Sequence, residues 1–360
     1  MLLVRMAAVP GVACFAVGSV DYKVSAWRYP SASEYTSLGV RSVDISQAEI
    51  DCGYTIGLLH DFGSAVEYEI GRLQPDLVWS QLEGALAVLK SANRHGVRGL
   101  YFVHDAEFDA AEMREIASLD CHLVTSSRFL AEKVFKATGR WPHVIYPPPE
   151  LYSDTNADPS GLITMINPHR VKGLETFLAV AKRLPNVNFL LQESWKLGDT
   201  ALDDLKRRLT GLRNVEFAHR VSDMREVYRR TRLLIVPSRW EEGFGMVALE
   251  AQSCGIPVIA SRRGGLPEAV GDGGLLIDDY LNPDAWAAAI EGVLNDSERY
   301  REWSERARRH AASDAFSADV LARRLYAIAL SEPQRPGRWA RGVFEVRRRA
   351  EPIVRRWLRR

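Results

Sequence analysis

Residues Leu233 to Glu268 read LLIVPSRWEEGFGMVALEAQSCGIPVIASRRGGLPE. The apolar run Leu233 to Val236 has the length and flanks of a parallel strand buried on both faces. After a polar loop, Gly243-Phe244-Gly245 opens a helix expected to reach about Cys254. A second buried strand, Pro257 to Ala260, ends in another glycine turn, Gly264-Gly265. Two acids stand eight positions apart, Glu242 just before the helix and Glu250 inside it. A helix there aims its free N–H groups and positive dipole end at whatever lies between those carboxylates. The arrangement suits a diphosphate flanked by two polyhydroxy groups, because carboxylates accept hydrogen bonds from sugar hydroxyls.

A rival interpretation uses the same residues. Gly243 to Ala248 also fits the G-x-G-x-x-A dinucleotide pattern, and Arg262-Arg263 after the next strand suit a 2′-phosphate. That pattern should follow its strand almost directly, yet Ser238 to Glu242 intervene. It also leaves Glu242, Glu250 and Lys172 without roles. The plainest alternative is two solvated glutamates on a surface helix.

On Pro237-Ser238, Glu242-Gly243-Phe244-Gly245 and Glu250-Ala251 the chain resembles glycosyltransferase family 4, the retaining enzymes among the group 1 glycosyl transferases. The resemblance runs from about Pro75 to about Leu330. It implies the GT-B fold, an α/β architecture of two Rossmann-like, doubly wound parallel-sheet domains facing a cleft. The expected division is an acceptor-side domain at 1–147 and a nucleotide-sugar domain at 148–312. A return helix at 313–330 and a basic tail at 331–360 complete it.

The alternation along the chain agrees with such sheets. Helices are expected at 64–74, 83–95, about 109–119 and 128–138, and strands at Asp76–Ser80, Gly99–His104 and Leu123–Ser126. Val144 to Glu150, VIYPPPE, is a proline-stiffened connector. The second half opens with a strand at Gly161–Ile166. Strands near Val187–Leu191 and Val215–Ala218, a helix 223–230 capped by Ser222 or Asp223, and a strand Leu275–Ile277 follow. Helices 283–294, one from Ser297, and Ala318–Leu330 close the pattern.

Ligands of such sheets bind beyond the carboxyl ends of the strands, where His104 and Asn167-Pro-His-Arg170-Val-Lys172 stand. A lysine at a loop feeding a helix pairs with phosphate as a point charge; a merely exposed lysine, or a histidine capping a strand, is the bland alternative. The family places an Arg and a Lys after this strand to hold the diphosphate. Lys172 matches the Lys, the Arg position falls at Asn167, and Arg170 is the candidate substitute. The resemblance assigns Glu242 to hexose hydroxyls, Glu250 to the ribose, and Gly243, Phe244 and Gly245 to the helix end at the diphosphate. His104 would face the transferred sugar, and Val221 would touch the base. It implies no cofactor and no required divalent metal; Asp278-Asp279 is a short acidic pair that nothing ties to a metal.

The chain has 360 residues, 46% of them apolar, enough for two cores. Cys14, Cys52, Cys121 and Cys254 form no C-x-x-C pair, so buried free thiols are expected. Residues 335–360 carry ten Arg and two Glu, and the remainder holds 37 basic and 44 acidic residues, a net of −7. A mildly acidic body with a basic tail does not resemble a nucleic-acid binder. In the tail, Trp339, Val343, Val346, Ile353 and Trp357 recur among arginines, with Pro352 as a break. That pattern suits an anionic membrane surface or a terminal helix packed on protein, two readings the sequence leaves even.

The first twenty residues read as a buried opening strand in preference to a secretory signal. The family's usual opening strand and Gly-Gly loop are absent, so either the chain starts late or its acceptor loop is unusual. The expected activity is transfer of a hexose from a nucleotide diphosphate sugar to a glycan or lipid-linked acceptor, at a cytoplasmic or inner-membrane location. The competing classes are a GT-B-type nucleotide-sugar epimerase, an NADP-dependent oxidoreductase, and a non-catalytic sugar-nucleotide-binding partner.

Overall fold

Alternating strands and helices dominate the computed structural model, which describes residues 15–17, 42–44, 62–82 and 84–333. The tail and most of the opening segment, including most of Tyr22 to Gly53, lie outside the described residues. β1 (Phe15–Val17) and β2 (Ser42–Asp44) pair antiparallel as a ribbon of their own.

The first parallel sheet has the order β3-β4-β5-β6, formed by Leu77–Gln81, Arg98–Val103, Cys121–Thr125 and His143–Val144. Its helices are Phe62–Leu73, Ala85–Arg94, Ala110–Ser118 and Arg128–Thr138. Local chemistry sets their ends. Asp109 accepts from the Glu112 N–H at 2.7 Å and Ser127 from the Leu130 N–H at 3.1 Å, both N-caps.

The second sheet contains β7 (Leu162–Ile166), β8 (Phe189–Gln192), β9 (Val215–Ala218), β10 (Thr231–Val236), β11 (Val258–Ser261) and β12 (Gly274–Ile277). All six run parallel in the order β12-β11-β10-β7-β8-β9. The order reverses between β7 and β10, and that reversal opens a crevice at the carboxyl ends of the two strands.

Burial on both faces explains the unbroken apolar runs. Leu233 and Ile235 join one core with Phe177, Phe189 and Trp286, while Leu234 between them joins another with Ala248, Leu249 and Ala260. In the first sheet, Tyr101 and Val103 meet Met113, Ile116 and Val134. Leu100 and Phe102 point the other way, onto Leu321, Ala322 and Leu325 of helix Ala318–Ala329. The last helix thus returns to cover the first sheet, each buried leucine contributing about 1.5–3 kcal/mol.

Helices Arg128–Thr138 and Pro283–Leu294 and strand Val215–Ala218 keep the limits read from the sequence. Others shift. The helix expected from Gly243 begins at Met246, because Gly245 adopts φ +103°, outside the helical region. Helix 223–230 shortens to Arg225–Tyr228, with Asp223 accepting from the Arg225 N–H at 2.9 Å. Helix Asp199–Leu209, absent from the expected pattern, buries Leu205 and packs the partly buried Leu202 and Leu209 against the same core. The proline connector begins one residue later than expected, because Val144 closes β6, which pairs with β5. Cys121 and Cys254 are buried free thiols.

Candidate functional site

The crevice between β7 and β10 gathers the site. The loop after β7 carries Asn167 to Lys172, and the loop after β10 carries Pro237 to Gly245. Lys172 Nζ donates to both carboxylate oxygens of Glu242 at 2.8 Å, and Ser238 Oγ donates to Glu242 Oε1 at 2.8 Å. The Lys172 ammonium also lies 5.0 Å from the centre of the Trp195 ring. The two charged side chains are only 16% and 14% exposed. Removing either would leave a largely desolvated charge, a loss of about 3–5 kcal/mol for such pairs.

Asn167 is buried in the left-handed region at φ +68°. Its backbone is held at both ends, N–H to Gln192 O and carbonyl from His169 N–H, each at 2.8 Å. Among the described residues its Oδ1 and the Nε2 of His169 make no hydrogen bond. Both atoms therefore retain bonding capacity for polar groups of a ligand. Arg170 is exposed two positions before Lys172.

Glu250 sits on helix Met246–Ser253, where its Oε2 accepts from Tyr228 Oη at 2.8 Å. Burial raises its carboxyl pKa above the ordinary value, against the lowering effect of that hydrogen bond. Val221 is half-buried in the loop after β9. Buried Glu193 fastens that loop, accepting from His219 Nδ1 at 3.1 Å and from the Arg220 N–H at 3.3 Å.

His104 follows β4 in the first domain. Its ring stacks on Phe102 at 4.3 Å, and its Nε2 lies 2.8 Å from Gln81 Oε1. Burial lowers its pKa, so the imidazole is neutral at pH 7. The two halves touch at this point. A Cβ placed on Gly243 would fall 1.9 Å from the His104 carbonyl oxygen, so only glycine allows this approach. Phe244 turns inward; its ring is buried between Tyr146 at 5.2 Å and Phe316 at 6.0 Å, and packing is its visible work.

The structure thus brings Lys172 and Glu242 into contact and sets Gly243 on the His104 backbone. Glu250, Val221 and Arg170 stand on separate elements of the same domain. Trp195, Tyr228, Ser238 and Gln81 complete the set and were not singled out from the sequence. Ser238 was visible inside the Pro-Ser pair, and Trp195 as an aromatic just past a strand end. Tyr228 and Gln81 carry no local signal.

The rival uses of nearby residues are filled. Arg262 pairs with Asp278 at 2.6 Å, and Arg263 donates to Arg239 O at 2.7 Å and Tyr280 Oη at 3.0 Å. A 2′-phosphate would have to displace those partners. Asp279 accepts from Asn282 Nδ2 at 2.9 Å. No helix among the described residues is long and apolar enough to cross a membrane.

The family model for glycosyl transferases group 1 matches residues 157–310. Among curated proteins, the chain is 41% identical over 127 residues to D-inositol 3-phosphate glycosyltransferase 2 of Catenulispora acidiphila, covering 34% of this chain and 29% of that protein. It is 46% identical over 99 residues to D-inositol 3-phosphate glycosyltransferase of Corynebacterium glutamicum, covering 27% and 23%. The chain matches less than a third of these relatives' length. Among solved structures, HepE of Anabaena in complex with UDP and glucose superposes with a TM-score of 0.64 at 19% identity, over 74% of this chain and 80% of that one. TarM gives 0.64 at 14% identity, over 75% and 58%. The fold is GT-B.

Proposed function

From the match of residues 157–310 to the group 1 glycosyl transferases, we propose that this chain moves a hexose from a nucleotide diphosphate sugar to an acceptor hydroxyl, with retention. The observation that carries the reading is the Lys172–Glu242 pair at the sheet reversal, bonded at 2.8 Å beside the start of helix Met246–Ser253. The leaving diphosphate gains negative charge in the transition state. Lys172, Arg170 and the helix end supply positive potential where that charge develops. In this reading no divalent metal is needed, and transfer persists in a chelator.

Glu242 accepts hydrogen bonds from the hexose and Glu250 from the ribose. Asn167 and Val221 frame the donor, and neutral His104 faces the transferred sugar from the opposite domain. The displacement is front-face and oxocarbenium-like, with donor oxygens helping to deprotonate the acceptor. The acceptor is a glycan or lipid-linked hydroxyl. The arginine-rich tail 335–360 holds the enzyme at an anionic cytoplasmic membrane face, at around 1 kcal/mol per arginine near the surface. Deleting it abolishes binding to anionic vesicles and spares donor binding; equal binding to neutral vesicles sinks the membrane role.

The deciding experiment is a thermal-shift panel of nucleoside diphosphates and their sugars, followed by incubation of any stabilising donor with and without acceptor extracts. A ligand at 100 times its dissociation constant adds about 2.7 kcal/mol. Turnover of donor to an epimer without acceptor makes the protein an epimerase. Binding with neither transfer nor hydrolysis makes it a non-catalytic partner. Binding of NADPH alone discards the reading.

A further inference from the structure

The two domains are joined by a carboxylate as well as by the connector. Glu268, on the short helix Leu266–Val270 of the second domain, reaches the first turn of helix Arg128–Thr138 in the first. Its Oε2 accepts from the Arg128 N–H at 2.8 Å and its Oε1 from the Phe129 N–H at 2.9 Å. Tyr146 Oη, in the connector, donates to the same Oε2 at 3.0 Å. The first amide groups of a helix have no partner within it. Here Ser127 takes the third and Glu268, from the other domain, takes the first two. The helix dipole further favours a carboxylate there. Lys133 on the same helix pairs with Glu241 at 2.7 Å, one residue before Glu242.

At its other end, the turn that carries Glu268 is pressed onto the site loop. The Gly265 N–H donates to Glu242 O at 2.7 Å. A Cβ at Gly265 would lie 2.5 Å from Gly243 O, so the two backbones are in direct contact. Gly243 in turn rests on the His104 carbonyl. One continuous set of contacts therefore runs from Glu268 through Gly265 and Glu242–Gly243 to His104.

We propose that Glu268 is a positioning residue: by capping a first-domain helix from the second domain, it sets the closed register in which Glu242 and His104 face one substrate. Its effect on turnover rests on the glycosyltransferase reading; its effect on domain docking does not. Glu268→Gln keeps the size of the side chain but turns an NH₂ toward one of the two amide donors. The expected result is a fall in kcat of roughly 10–100-fold, as for misplacements remote from the chemistry. The nucleoside diphosphate Kd stays within about twofold, because Lys172 and Glu250 lie in the second domain. Small-angle scattering shows the variant more extended than wild type, with and without UDP. Tyr146→Phe, which leaves both amide bonds, falls between the two.

Wild-type kcat in Glu268→Gln, or scattering identical to wild type, overturns the proposal. A Kd that rises in step with the loss of kcat also overturns it, since that marks general damage. If wild type transfers no sugar, the functional reading fails by itself and scattering still decides the cap. Glu268→Gln carries the test even where Glu268→Ala does not fold.

Discussion

Lys172 places its ammonium 2.8 Å from both oxygens of the Glu242 carboxylate, although the two residues stand 70 positions apart. The pair is a consequence of the reversal in strand order, which sets the loops after β7 and β10 side by side. Trp195 packs against the ammonium and Ser238 donates to the carboxylate.

Lys172→Ala is expected to lower kcat more than it raises KM, by roughly 10²–10³ as for other single electrostatic groups. It also leaves Glu242 with Ser238 as its remaining hydrogen-bond partner among those seen here. Calorimetry should accordingly show a reduced Tm. Steady-state kinetics in the presence of a chelator make the comparison. Near-wild-type turnover under those conditions would place leaving-group stabilisation elsewhere.

Glu250→Ala should mainly weaken nucleotide binding, since a ribose contact changes little during the reaction. The raised pKa of Glu250 adds a pH dependence. Hydroxyl donors require the ionised carboxylate, so affinity declines as pH falls through that raised pKa, at a higher pH than for an ordinary glutamate. Binding in that range releases protons, which titration calorimetry in two buffers of different ionisation enthalpy measures. An unchanged nucleoside diphosphate Kd in Glu250→Ala removes the residue from the site.

His104→Ala is expected to cut transfer while nucleoside diphosphate affinity stays nearly intact, because the histidine belongs to the opposite domain. Gln81→Leu should reproduce part of the loss by freeing the ring that Gln81 holds at 2.8 Å. If binding and turnover fall together in His104→Ala, the histidine is structural.

His122 and His143 stand on neighbouring strands with ring centroids 6.0 Å apart. Burial lowers both, His143 to about 4, and Arg98, Arg140 and Arg324 oppose protonation further. His143 binds its proton near 6.5 in the unfolded chain and only near 4 in the folded one. Stability is therefore full above pH 6.5 and declines as pH falls toward 4, by on the order of 3 kcal/mol for His143. Tm measured from pH 7.5 to 5 should drop, and His143→Gln should flatten the curve. A variant with the wild-type slope would show that other groups govern the acid limb.

Much of this architecture is legible along the chain because buried parallel strands are continuous apolar runs and their helices carry caps. Leu233 to Val236, the Ser127 cap and the Asn282-Pro283 helix start are of that kind. The glycine turns and the Glu242–Glu250 spacing are local as well, and so the candidate site is legible from them. Helix Asp199–Leu209 escaped although Leu202, Leu205 and Leu209 form its apolar face, because charged residues fill most of its other positions.

Which distant groups meet is settled by the folded chain alone. No periodicity records that Lys172 finds Glu242, that Tyr228 holds Glu250, or that Phe244 turns into a core with Tyr146 and Phe316. Glu268 is the clearest case, since its sequence context is a glycine turn and its role is to cap a helix in the other domain. Local sequence sets backbone propensity and burial, which depend on near neighbours. Hydrogen bonds between side chains and remote amides depend on the order of strands and the docking of domains, and those exist only once the chain has folded.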